Sequence, residues 1–184
     1  YQVSPWRPID PTPLSNPQEI IRLYAPKKIE IEEARVFFPN KYPHLVQATI
    51  NPFQRQNIPN ILSQLYSRQR VRDLFVKDVK EGGYYDLVIA TRFDIQIDSL
   101  PKFNGGEILF ANTHPERPHI FNDNLVMLSQ KSFIELFNFE PLLDELEKNG
   151  KVPLNMEEIL TQSLIFSNLL SQAKKTEEIQ IRHL

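Results

Sequence analysis

The chain has 184 residues, 41% of them hydrophobic, which suffices for one packed core and is short for two. Lysine and arginine total 21 against 23 aspartates and glutamates, so the net charge of −2 leaves no polybasic footprint, and no nucleic acid partner is expected. The lack of cysteine excludes a disulfide scaffold and thiolate metal sites and is compatible with a reducing compartment, while no apolar run approaches the roughly 20 residues that span a bilayer. A single domain over 1–184 is expected, soluble or touching a membrane only from outside. The chain opens at Tyr1 with no methionine, charged leader or apolar leader run, so no signal peptide is expected in it, and an N-terminal portion is expected to be missing.

Residues 1–17 carry Pro5, Pro8, Pro11, Pro13 and Pro17, which fix φ and remove donors; this predicts an extended Pro-rich arm. Ile20, Ile21 and Tyr24 then recur at helical spacing before Pro26, and Ile29 and Ile31 alternate with Glu30 and Glu32 as in a half-buried strand. Pro39, Pro43, Pro52 and Pro59 predict a long loop over 39–60. From Ile61 to Val79 the apolar residues fall largely on one helical face, and Gly82-Gly83 supplies the stop. Leu87, Val88, Ile89 and Ala90 in succession predict a strand covered on both faces. Further strands are expected at Glu107–Ala111 and Leu125–Leu128, and helices at Lys131–Asn138 and Glu140–Lys148, the second ending at Asn149-Gly150. Asn155, with Glu158 three residues on, predicts the capped start of a last long helix reaching about Ala173. The tail "EIQIRHL" alternates as an edge strand does. Helices interleaved with strands make an α/β domain.

Ligands of open α/β sheets bind beyond the carboxyl ends of the strands, which puts Arg92 and Asp94 at a candidate rim. Alternation lets residues 92 and 94 point one way and Phe93 the other. A guanidinium forks onto a phosphate, and a carboxylate holds a divalent ion or a sugar hydroxyl. The plainer alternative is a rim salt bridge between the two.

The stretch "YYDLVIATRFDIQI" resembles one recurrent in bacterial and viral polysaccharide glycosyltransferases of GT-A type, where a tyrosine-aspartate pair opens a buried strand ending in Arg-x-Asp. "EIIRLYAPKKIEIEE", "NILSQLYSRQRVRDLF", "FNDNLVMLSQKSFIELF" and "LNMEEIL" are similar in order to the family's surrounding elements, so the resemblance spans roughly residues 17–170. It implies a GT-A-like (Rossmann-like) mixed sheet flanked by helices, lacking its N-terminal strand unit. The implied enzyme is a glycosyltransferase that moves a sugar from a UDP- or GDP-linked donor to a glycan or lipid-linked glycan acceptor, in capsule, lipopolysaccharide or related surface polysaccharide synthesis. Its place would be cytoplasmic, at the inner face of the membrane, with peripheral association. Arg92 and Asp94 would meet the donor. Because Arg92 stands where the wider pattern has its first acid, Asp94 alone would hold Mg²⁺ or Mn²⁺, or the donor would be held without a metal. Asp123 would be the acceptor-side carboxylate and Glu157 a second catalytic candidate. The alternative is a non-catalytic carbohydrate- or partner-binding domain with a degenerate donor site.

Each candidate also has a structural reading. Asn122, Asp123 and Asn124 readily form an Asx turn. Glu157 suits the positive end of a helix dipole, and Glu158 a cap. His114, Glu116 and His119 do not match a zinc helix motif, and Pro115 and Pro118 break any helix that would converge them, so a loop near the sugar site is expected. Trp6, Phe37, Phe38 and Phe53 would stack on sugar rings or pack in the core. Gly105-Gly106 reads as a turn.

Overall fold

The structure is a computed structural model, and it describes residues 18, 21–22, 25–30, 32, 37, 39–92, 95–112 and 120–183. The chain divides into two compact units, Tyr1–Ala34 and Arg35–Leu184. In the first, Gln18, Ile21 and Arg22 are helical, and the Ala25 N–H donates to the Ile21 carbonyl at 2.9 Å. The strand expected around Ile29 is not found: Ala25 to Glu30 have no strand structure, and Ile31 lies outside the described residues, as does the Pro-rich arm.

In the second unit the loop expected over 39–60 is mostly helical. A 3-10 turn at Pro39–Lys41 leads to α1 (Pro43–Ala48), α2 (Pro52–Gln56) and the start of α3 (Ile58–Lys80). Pro43 and Pro52 open their helices and Pro59 stands second in α3, where the missing N–H was without an intrahelical partner in any case. Glu147 caps α1, its two carboxylate oxygens accepting from the His44 and Leu45 N–H groups at 3.0 and 3.1 Å. Helix α3 ends as predicted: Gly82 adopts φ 98°, and a Cβ on Gly83 would lie 2.2 Å from an Asp78 carboxylate oxygen.

Strands β1 (Val88–Thr91), β2 (Ile95–Ser99), β3 (Ile108–Ala111) and β4 (Leu125–Leu128) follow, then helices α4 (Gln130–Leu136), α5 (Phe139–Asn149) and α6 (Met156–Phe166), and finally β5 (Ala173–Thr176) and β6 (Gln180–His183). The main sheet is mixed, in the order β1-β4-β3-β5, with β4 antiparallel to β1 and β3, and β3 parallel to β5. Strands β2 and β6 form a separate antiparallel ribbon. Ile108, Phe110, Val126 and Leu128 bury one face of the main sheet against the helices, through residues such as Leu65, Phe133, Leu142 and Ile159. Leu109, Ala111, Leu125 and Met127 bury the other face with Ile179, flanked by Phe103 and Ile181. The architecture is thus mixed α/β, a mixed sheet flanked by helices. Among the described residues no helix is long and apolar enough to cross a membrane.

Two expectations change. Strand β1 is not covered on both faces: it is an edge strand, with Val88 and Ala90 against the helical core and Ile89 37% exposed. The last helix does not run to Ala173 but stops at Phe166, because Asn168 turns left-handed at φ 56°. The Asn168 N–H donates to the Ile165 carbonyl and the Leu169 N–H to that of Leu164, while Leu164 and Leu169 are both buried; this is a Schellman stop with asparagine in place of glycine. The residues beyond it are then free to become β5. Replacing Asn168 by valine, which disfavours that conformation, is expected to lower stability by about 1–2 kcal/mol, while Asn168→Gly stays near wild type; urea unfolding of both variants checks this.

Candidate functional site at the sheet rim

Since β1, β3 and β5 run one way and β4 the other, the carboxyl ends of three strands and the amino end of the fourth share one rim. The rim gathers Thr91-Arg92, Asn112, Glu177 and the turn Asn122-Asp123-Asn124. Continuing the register one step past Thr91↔Leu125 and two steps past Phe110↔Val126 sets Arg92 and Asn112 on either side of Asn124. The Asn124 carbonyl accepts from the Arg92 N–H at 3.3 Å and from Thr91 Oγ1 at 3.1 Å.

The turn itself is buried. Asn122 Oδ1 accepts from the Asn124 N–H at 2.6 Å, so the Asx-turn alternative holds for Asn122. Asp123 is different. Its carboxylate accepts from Arg68 Nη2 at 2.7 Å, and the same nitrogen donates to the Asp123 carbonyl at 3.1 Å, with the side chains only 9% and 18% exposed. Burial pushes the Arg68 guanidinium below its ordinary pKa, Asp123 pulls it back up, and the charge on Arg92 pushes it down again. Two guanidiniums and one carboxylate therefore feel one another at the end of β1.

Asn112 adds a polar vacancy. Its N–H pairs with the Thr176 carbonyl and its Nδ2 lies 3.5 Å from Glu177, but among the described residues its buried Oδ1 has no hydrogen-bond partner. A buried acceptor left in this way is satisfied by a donor from water or ligand.

Of the predicted site residues, the structure brings Arg92 and Asp123 together; Asp94 lies outside the described residues. Glu157 occupies the first turn of α6, where Asn155 Oδ1 accepts from the Glu157 and Glu158 N–H groups at 2.9 and 3.3 Å. The Asn155 N–H donates to the Pro153 carbonyl. The contacts described for Glu157 are those of a helix start and do not join it to Arg92 or Asp123. His114, Glu116, His119, Trp6 and Phe38 lie outside the described residues, as does the Phe53 side chain. Phe37 packs on Tyr66 with ring centroids 5.3 Å apart, at the border of the core. Gly105 turns at φ 85° in a bend, as expected.

Sequence reasoning missed Arg68 and Asn112. Arg68 had a readable signal: on α3 it stands seven residues after Ile61 and three after Leu65, so a charge sits on the stripe that packs inward. Asn112 had none, since one polar residue after a strand is ordinary.

Among the described residues no group of three or more His, Cys, Asp or Glu side chains is placed to hold a metal ion. The described polar groups of the rim are the Arg68 and Arg92 guanidiniums, the Asp123 carboxylate engaged by Arg68, the Asn112 amide and Glu177. A separate groove of about 340 Å³ lies among Tyr42, Leu62, Leu65, Tyr66, Phe139 and Leu143. Phe37 lines it too, with the polar side chains of Lys41, Gln69, Arg70, Asp73 and Glu140, and it contains none of Arg92, Asp123 and Glu157. No protein-family model matches the chain, and comparison with curated proteins and with solved structures finds no match in either.

Proposed function

We propose that this domain is a GT-A-like glycosyltransferase that moves a sugar from a UDP- or GDP-linked donor to a glycan acceptor in surface polysaccharide synthesis. One observation carries the reading: Arg92, at the end of β1, and Asp123, at the entry of β4, are far apart in sequence yet meet at one sheet rim. The resemblance names these two residues independently, for the donor and acceptor sides.

Transfer forms a bond from the acceptor oxygen to the anomeric carbon as the bond from that carbon to the diphosphate oxygen breaks. The acceptor proton must leave, and negative charge grows on the departing diphosphate. Arg92 supplies positive charge for the latter, and Asp123 is the acceptor-side carboxylate for the former, with Glu157 as the second candidate. Asn112 Oδ1 offers an acceptor for a sugar hydroxyl.

The test incubates the chain with UDP- and GDP-sugars and glycan acceptors, following nucleoside diphosphate release and glycan growth. Asp123→Asn is expected to lower turnover by about 10²–10⁴-fold at unchanged circular dichroism, and Glu157→Gln by less. Failure to consume any donor removes the transferase reading. Wild-type turnover by Asp123→Asn removes Asp123 from the chemistry.

A second reading draws on the Arg68–Asp123 ion pair. A carboxylate already engaged by a guanidinium serves to accept sugar hydroxyls without turnover, as in a glycan-binding domain with a degenerate donor site. Saturable glycan binding without nucleotide affinity is its expected signature.

A further inference from the structure

We propose that the groove beside α3 is a sugar-binding site that takes one residue of a neutral glycan, its ring against Tyr66 and Phe37 and its hydroxyls on the charged side chains around them. The assignment comes from the lining of the groove and does not depend on the transferase reading.

The groove is lined by the turn that precedes α1, by α3 and by the start of α5, with Phe37 before them. Leu62, Leu65, Phe139 and Leu143 are buried and supply its apolar part, while the Phe37 and Tyr66 rings are half-buried and tilted by 48° to one another. Its volume of about 340 Å³ stands at the small end of ligand cavities, which suits a single sugar ring. Gln69 fixes the shape. Its Oε1 accepts from the Phe139 and Glu140 N–H groups at 2.7 and 3.3 Å, tying α3 to the start of α5, and its Nε2 donates to Asp73 Oδ1 at 3.0 Å. The groove is thus formed before a ligand arrives.

The polar lining does not select an ion. Among the described residues it carries two cations, Lys41 and Arg70, and two carboxylates, Asp73 and Glu140, whose charges cancel. Arg70 Nη1 and Asp73 Oδ2 lie 4.0 Å apart, too far for a direct hydrogen bond, and a hydroxyl between them donates to the carboxylate and accepts from the guanidinium. A sugar carries such hydroxyls around a ring whose C–H faces are apolar, which matches aromatic walls bordered by donors and acceptors of both charges. A peptide is matched less well: the backbone groups of α3 and α5 bond within their helices, and among the described residues no strand edge borders the groove for an extended chain to pair with.

Screening an array of neutral oligosaccharides built from hexoses, 6-deoxyhexoses and N-acetylhexosamines, then titrating the strongest member calorimetrically, tests this on the full chain with no nucleotide present. Saturable binding is expected. Tyr66→Leu keeps an apolar side chain but removes the flat ring, and is expected to weaken binding about five- to tenfold. Glu140→Ala is expected to weaken it about threefold; it alters an exposed residue, so it keeps the test decisive if the Tyr66 variant folds poorly. In NMR spectra the amide signals of Gln69, Phe139 and Glu140 are expected to move with added sugar and those of Arg92 and Asn124 to stay. No saturable binding by any member of the array overturns the inference. Movement confined to Arg92 and Asn124 overturns it as well and assigns the glycan to the rim. An acidic oligosaccharide or an extended peptide that occupies the groove more tightly than every neutral sugar overturns the ligand class. Binding as expected with no turnover of any nucleotide sugar removes the transferase reading and keeps the groove site, whereas turnover with no sugar bound in the groove does the reverse.

Discussion

Phe110→Ala is expected to lower the unfolding free energy by about 3–5 kcal/mol, with a matching fall in the urea midpoint. Phe110 is 0% exposed in the central strand pair of the main sheet and packs on Phe121 with ring centroids 4.8 Å apart. Strand β3 is flanked on both sides, by β4 and β5, so the backbone has little room to close over the space the ring leaves. A domain of this size is stable by only about 5–15 kcal/mol, so the variant stands near the threshold of folding. A loss under about 1 kcal/mol would mean that the helices do not seat on this face of the sheet as described.

The second large effect is at the rim. Arg68→Met keeps most of the side-chain volume but leaves the Asp123 carboxylate buried without its guanidinium, at an expected loss of about 3–5 kcal/mol. The double variant Arg68→Met/Asp123→Leu removes both charges and is expected to recover most of that loss, because the penalty belongs to the unpaired ion rather than to the missing bond. Urea unfolding of the single and double variants measures the coupling. If the single variant costs only a few tenths of a kcal/mol, the pair behaves as a solvent-screened surface ion pair and does not hold the turn.

Much of the fold could be read directly from local pattern. Strand β4 falls on the predicted Leu125–Leu128 because four apolar residues follow a polar turn and precede Ser129, whose side chain caps α4. Helix α5 ends at Gly150, which adopts φ 60° as its position after Asn149 suggested. The failures have physical causes. The prolines of 39–60 were read as breakers, yet at the first or second helical position proline removes no needed hydrogen bond. The end of α6 depended on one asparagine entering the left-handed region, which neither hydropathy nor spacing reveals. The edge position of β1 depended on strand order, a long-range property, so its apolar run suggested more cover than it has. At the site, Arg92 and Asp123 could be picked out one at a time. Their meeting could not, because it depends on β1 and β4 being antiparallel neighbours.

The ribbon of β2 and β6 bears on the order in which the molecule is made. Its Arg182–Asp98 ion pair joins residues 84 apart in the chain, and β3 finds its parallel neighbour only in β5. During synthesis, β2 and one side of β3 therefore leave the ribosome long before their partners exist. Helices α3, α4 and α5 can assemble first, with the β1–β4–β3 part of the sheet beside them. Completion of the far edge and of the ribbon is then a late, slow event set by long loop closure. The sheet face away from the helices, with Leu109 and Met127, waits for Ile179 and stays open to a chaperone or to a neighbouring nascent chain in the interval.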